Sequence, residues 1–345
     1  MKVDYIIVGL GLAGIALCEK LLEQNKRFVV FDAGNNTSST VAAGLYNPVI
    51  LKRFSAAWNA LEQIQKALPF YEKLEDKLSV KIDYKTPVFR IFNSVEEQNR
   101  WFEASDKPVL EHFIDPKILP NQNEHVKAEF GLGKVVQSGR IDTTLLIDAY
   151  RKELLKNNQL INETFNHTSL QLTNPLNYKA IEAQYIVFAE GFGIKNNPFF
   201  NQLPLVGNKG ELITISAPNL KLDVILKSGV FVIPLGNDLY KVGATYNWKD
   251  KDNLPTTEAK EELLEKLHKI ITCEYEVFSH QAGVRPTVVD RKPLVGQHSE
   301  FKNLYVLNGL GTHGVMIGPT VAENLFDLIE NGKTLPKEID ISRFN

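Results

Sequence analysis

The chain has 345 residues, enough for about two domains at roughly 150 residues each. Its hydrophobic share of 43% and charged share of 23% exclude a disordered or fibrous protein. With 39 basic and 41 acidic residues the net charge is -2, so there is no global basic excess to grip a phosphate backbone, and no nucleic-acid partner is expected.

Lys2 precedes an apolar run from Tyr5 to Leu17, but Asp4 interrupts the basic region and no small-residue cleavage site follows. The start therefore reads as strand and helix rather than a signal peptide. Tyr5 to Val8 is a continuous apolar run, as in a parallel strand buried on both faces. A turn of three glycines opens a helix from about Leu12 to Gln24, with Asn25 suited to a left-handed C-cap. Phe28 to Phe31 is a second strand, ending at Asp32. Residues 33–44 are small and polar and are expected to form no element. A long helix covers about 56–77, a strand 88–92 and a short amphipathic helix 95–104. Residues 105–135, with Pro108, Pro116 and Pro120, read as irregular. A helix follows over 141–157 with Asp142 as N-cap, then a buried strand over 183–189. Between 205 and 248 the pattern changes to short or alternating strands at 212–215, 230–233 and 240–245, with a hairpin connection at 234–238. A helix spans 258–271. The chain closes with a strand at 304–307, a glycine-rich turn, and a helix from Pro319 to Glu330 stopped by Gly332. No stretch approaches 18 apolar residues, so no membrane span is expected. The only cysteines, Cys18 and Cys273, are too few and too far apart for a zinc site; no metal is expected, and a reducing cytoplasm fits.

Gly9-x-Gly11-x-x-Gly14 lies between a strand and a helix. The glycines serve a tight turn, close approach of backbone to a pyrophosphate, and close helix–strand packing. The helix N-terminus, around Ala13, presents free N–H groups and a positive dipole end. Asp32, at the end of the second strand, is placed to accept hydrogen bonds from ribose hydroxyls. This is a Rossmann-like dinucleotide motif, and by itself it does not separate FAD from NAD.

Two later motifs do. Gly283-Val-Arg285-Pro286 leads into Asp290, Pro293 and Gly296. Asn308-Gly309-Leu-Gly311-Thr312-His313-Gly314 runs into the last helix. With the N-terminal motif, in this order over essentially the whole chain, the sequence resembles the D-amino-acid oxidase (DAO) family of FAD oxidoreductases, which includes glycine and sarcosine oxidases. The resemblance implies an α/β fold with an antiparallel sheet. A Rossmann-like FAD-binding domain would be built from 1–82, 139–197 and 283–345, and a discontinuous, mainly antiparallel substrate domain from 83–138 and 198–282.

It also implies site residues. Gly9, Gly11, Ala13, Gly14, Asp32 and Ala33 match the ADP-binding motif, with Asp where the family usually has Glu. Thr40, Ala42, Ala43 and Gly44 match the small-residue loop beside the flavin. Ala189 and Gly191 match an Ala-x-Gly turn, and Phe165 takes the place of the usual valine near adenine. Gly309, Gly311, Thr312, His313 and Gly314 match the turn at the flavin pyrimidine edge, where backbone N–H groups would stabilise charge on the reduced ring. FAD is expected to be noncovalent, since neither cysteine stands where covalent-flavin relatives carry theirs.

Arg285 is the candidate for the substrate carboxylate, because a guanidinium offers a planar bidentate fork; the competing reading pairs it with Asp290. The usual Tyr-x-x-Pro is here Phe231-Val-Ile-Pro234, so one substrate-contacting hydroxyl is missing, and Tyr246 is the candidate to replace it. His313 is a candidate base, and Lys52 and Arg53 a basic pair.

The implied reaction is oxidation of the C–N bond of a small amino acid or secondary amine by hydride transfer to flavin, with oxygen or a quinone as acceptor. Alternatives are a 2-hydroxy-acid dehydrogenase using His313 or His280 as base, a tRNA-modifying amine oxidase, and a noncatalytic nucleotide-binding protein.

Overall fold

Tyr5, Ile6, Ile7 and Val8 are all buried because the strand they belong to, Lys2–Val8, lies in the middle of a parallel sheet covered on both faces. The computed structural model describes residues 1–34 and 37–344. In that sheet Leu160–Ile161, Phe28–Phe31, Lys2–Val8, Ile181–Phe188 and Leu304–Asn308 run side by side in parallel. Leu294–Gln297 pairs antiparallel with the last of these. The helices Leu12–Glu23, Ala60–Leu78 and Gly314–Asn331 pack together over one face. An aromatic-rich cluster including Phe31, Phe165, Tyr178 and Phe188 fills the other.

A second eight-stranded sheet is built from strands within residues 88–135 and 208–285. Its order is Glu276–Arg285, Asn208–Ser216, Leu239–Gly243, Phe231–Gly236, Ile225–Lys227, Val88–Ile91, Leu132–Val135, Ile114–Leu119. All neighbours are antiparallel except Ile225–Lys227 with Val88–Ile91. The helix Thr257–His268 packs Leu263 and Leu267 against one face of this sheet, with Ile213, Ile215 and Val242. The molecule is thus a mixed α/β fold with a large antiparallel sheet.

Four expectations are corrected. Residues 37–41 form a short helix, Thr37–Val41, where no element was expected. Residues 105–135 are not irregular throughout: Ile114–Leu119 and Leu132–Val135 are paired strands. Pro116 is tolerated there because Ile114–Leu119 is the edge strand and its pairing is irregular between Ile114 and Ile118. The strand read at 212–215 extends over Asn208–Ser216, buried along almost its whole length and not alternating. The last helix starts at Gly314, so Pro319 lies inside it. Proline removes the N–H that would bond the Val315 carbonyl four residues back. The Tyr71 hydroxyl donates to that carbonyl instead, at 2.9 Å.

Candidate active site

The glycine turn closes where Lys2–Val8 meets Ala189. Gly9 has φ +101°, and a Cβ there would lie 2.5 Å from the Ala189 carbonyl oxygen; one on Gly14 would lie 2.1 Å from the Gly9 carbonyl oxygen. Gly11 is the N-cap of Leu12–Glu23 and no side chain caps it, so the first N–H groups, including that of the buried Ala13, face outward from the helix end. Asp32 is 5% exposed and its carboxylate accepts from the Leu10 N–H at 2.7 Å and the Gly34 N–H at 2.8 Å. It also pairs with Arg151, a partner the motif did not reveal. Ala33 follows it, exposed.

The small-residue loop passes next to this turn. Thr40 ends in the short helix, and its carbonyl accepts from the Thr144 hydroxyl at 2.9 Å. Ala42 and Ala43 are half-buried, and the Ala42 carbonyl faces the Lys241 ammonium at 3.5 Å. Gly44 has φ +70°, and a Cβ there would lie 1.8 Å from the Ile141 carbonyl oxygen, so the chain is pressed against Gly139–Ile141.

Asn308 joins the other two turns: its side chain donates to the Gly191 carbonyl at 2.9 Å and accepts from the Gly309 N–H at 2.7 Å. Gly191 and Gly311 both have φ +57° and open space where a Cβ would be. Ala189 is buried behind them, Thr312 is exposed, and Gly314 opens the last helix. His313 occupies that helix's N-cap position without making a side-chain cap bond, and burial pushes its imidazole pKa down. Two uncapped helix starts and two open glycine turns linked by Asn308 are the donor set and the clearance that a flavin dinucleotide needs. Phe165 is different: it is buried in the core, stacked on Tyr178 at 4.1 Å between ring centroids, with its edge toward Phe31 and Phe188.

Alternate residues of a strand face opposite sides. The face of the large sheet that carries Arg285 also carries Asn208 and Gly210 of the neighbouring strand. The Arg285 guanidinium donates to Asn208 Oδ1 at 2.9 Å and to the Thr245 carbonyl at 3.3 Å, and lies 4.9 Å from the Tyr246 ring centroid. It fits only because residue 210 is glycine: a Cβ there would lie 1.9 Å from Arg285 Nη2. No carboxylate among the described residues pairs with it, and burial lowers its pKa. The Asp290 alternative is not realised, since Asp290 binds Arg343 at 2.8 Å.

Tyr246 is 63% exposed beside Arg285. Phe231 lies on the same face as Lys241, and the Lys227 ammonium sits 4.6 Å over its ring, its pKa pushed down to about 8 by burial and by Arg90. Burial also lowers the Lys241 pKa. His280 projects from the opposite face, 2.9 Å from Glu211 Oε2, so it does not share a site with Arg285. Lys52 and Arg53 are both exposed. The sequence reading gave no role to the Arg151, Gly210 and Lys241 side chains or to the Asn308 amide, because each gains its meaning from a partner distant along the chain.

The chain matches the family model described as FAD dependent oxidoreductase, DAO, over residues 4–328. It is 22% identical to glycine oxidase of Bacillus subtilis strain 168, over 96% of this chain and 94% of that protein. It is 20% identical to a bifunctional tRNA 5-methylaminomethyl-2-thiouridine biosynthesis protein of Marinobacter nauticus, over 94% of this chain but 55% of that one. Its fold superposes on glycine oxidase from Geobacillus kaustophilus with a TM-score of 0.80 at 19% identity, covering 100% of this chain and 98% of the other. For L-proline dehydrogenase from P. horikoshii the TM-score is 0.81 at 16% identity, covering 99% and 98%. A family match spanning nearly the whole chain, on a structure whose glycine turns fit the cofactor, places this protein in the DAO family of FAD-dependent oxidoreductases.

Proposed function

We propose that the protein oxidises the C–N bond of a small amino acid or secondary amine that bears a carboxylate, such as glycine, sarcosine or a D-amino acid. The observation that carries this is Arg285: a desolvated guanidinium with no carboxylate partner among the described residues, on the sheet face that also carries Asn208 and beside Tyr246. Leaving such a charge unpaired is costly, and a substrate carboxylate would complete it. Glycine oxidase and L-proline dehydrogenase among the similar proteins support the same class.

Asn208, the Thr245 carbonyl and Gly210 fix the fork, and with it the substrate's orientation. When bound, FAD supplies a two-electron acceptor for the hydride leaving carbon. The uncapped start of the last helix, with Gly311 and Gly314, would hold negative charge on the flavin edge through backbone N–H groups. His313, kept neutral by burial, adds no fixed positive charge there at neutral pH. Residues 1–82, 139–197 and 283–345 form the FAD-binding domain in this reading, and 83–138 with 198–282 the substrate domain.

The test is anaerobic mixing of the flavin-loaded protein with glycine, sarcosine, D-amino acids and 2-hydroxy acids. Bleaching of the flavin absorbance by the amines supports the proposal; bleaching by hydroxy acids alone refutes it. Acid precipitation releases the flavin to the supernatant if it is noncovalent. Air or a soluble quinone then identifies the acceptor.

One observation favours a second reading, an amine oxidase acting on a modified tRNA base. Tyr246 and Trp248 are 63% and 46% exposed, with the guanidinium groups of Arg285 and Arg291 at 4.9 and 5.9 Å from their ring centroids. Exposed rings with flanking cations are what stack on bases. Retention of unmodified and modified tRNA on the immobilised protein, lost in Trp248→Ala, is the outcome this reading requires.

A further inference from the structure

We infer that Arg151 is a positioning residue for the FAD adenosine, acting through Asp32. Arg151 projects from the helix Thr143–Lys156, far in sequence from the glycine motif. One guanidinium nitrogen pairs with Asp32 Oδ1. The other donates to the Asp32 carbonyl at 3.3 Å and to Asn162 Oδ1 at 2.6 Å. The group thus holds both the side chain and the backbone of Asp32, and ties the end of Phe28–Phe31 to the residue after Leu160–Ile161. Gly34, with φ +83°, lies against it; a Cβ there would touch the guanidinium at 3.6 Å.

The arrangement solves an electrostatic problem. Asp32 is nearly fully buried, and its Oδ2 accepts from Leu10 within the phosphate-binding turn. A buried carboxylate with no counter-charge beside it would repel the two phosphates of FAD. An adjacent guanidinium cancels much of its field and locks the rotamer in which it meets a ribose. The requirement is for a bidentate fork, because two acceptors on Asp32 and one on Asn162 are served at once.

The experiment measures FAD affinity of the apoprotein, by quenching of flavin fluorescence, for wild type, Arg151→Met, Arg151→Lys, Asp32→Asn and the double variant Arg151→Met/Asp32→Asn. Arg151→Met is expected to weaken FAD binding by on the order of tenfold or more, with Arg151→Lys recovering part of the loss. The two losses should not add in the double variant, because Arg151 acts through the Asp32 charge. Unchanged FAD affinity in Arg151→Met, with only the apoprotein melting temperature lowered, would show a purely structural arginine and overturn the inference. Full additivity would overturn the route through Asp32. If Arg151→Met does not fold, Arg151→Lys decides alone: weaker FAD binding supports the inference, and wild-type affinity overturns it.

Discussion

Arg285 shows how one side chain can be made expectant. Among the described residues its neighbours supply carbonyl and amide oxygens but no counter-charge, and on this rests its proposed role toward a substrate carboxylate. Arg285→Ala is expected to fold and retain FAD while losing about 3–5 kcal/mol in kcat/KM toward a carboxylate-bearing amine. Arg285→Lys should recover only part, since a point charge does not copy the planar fork. Stopped-flow bleaching and flavin content on the same preparation check this; normal bleaching in the folded, yellow Ala variant would refute the assignment. Gly9 is the opposite kind of residue, defined by what it lacks. Gly9→Ala would force a methyl to 2.5 Å from the Ala189 carbonyl oxygen at φ +101°, so we expect a loss of about 1–3 kcal/mol in stability together with weaker FAD retention. A melting curve and a flavin titration on that variant decide.

At the scale of elements, the last helix carries the most instructive prediction. Pro319 lies five residues inside Gly314–Asn331, and the carbonyl it orphans is bonded by Tyr71 from the helix Ala60–Leu78. Tyr71→Phe should therefore cost about 1–3 kcal/mol by leaving a buried carbonyl unpaired. Pro319→Ala restores an N–H in its place and should rescue much of that loss in the double variant. Denaturant midpoints of the four proteins form the cycle; equal effects of Tyr71→Phe with and without the proline would refute it. The same proline explains why the sequence placed this helix start five residues late: a proline most often marks a first turn, and within the helix it is made tolerable by the Tyr71 hydroxyl, 244 residues before the Val315 carbonyl it bonds. Where the decisive interactions were local, the reading succeeded. The apolar run of Tyr5–Val8, the Asp142 cap accepting from Leu145, and the left-handed Gly332 stop were all legible. The three glycine turns were legible for the same reason. Arg151, 119 residues from Asp32, and Lys241, 199 from Ala42, were not, because sheet topology and not sequence spacing brings them together. Ile114–Leu119 was missed because an edge strand needs neither alternation nor freedom from proline.

Taken as a whole, the molecule holds three histidines whose imidazoles are disfavoured as cations, and this sets its acid behaviour. Burial pushes the pKa of His280, His298 and His313 below the ordinary value of 6.5, with nearby Glu211 partly offsetting the effect at His280 and Glu300 at His298. The unfolded chain takes up these protons near 6.5, while the folded chain takes them up only at lower pH. Below about pH 6.5 the unfolded state therefore binds more protons, and stability must fall as pH falls. Carboxylates lowered by ion pairs, such as Asp4 with Arg27 and Asp290 with Arg343, act in the same direction, but only below their ordinary value of 3.8. Asp83 acts oppositely: burial raises its carboxyl pKa, so its folded form gains protons first. Just below pH 6.5, above the ordinary carboxylate range, the histidines should prevail. Urea midpoints at pH 7.5, 6.5 and 5.5, with saturating FAD throughout, should decline steadily. His298→Gln and His313→Gln should each flatten that decline. A midpoint that holds constant or rises toward pH 5.5 in the wild-type protein would show that burial of these imidazoles does not govern its acid stability.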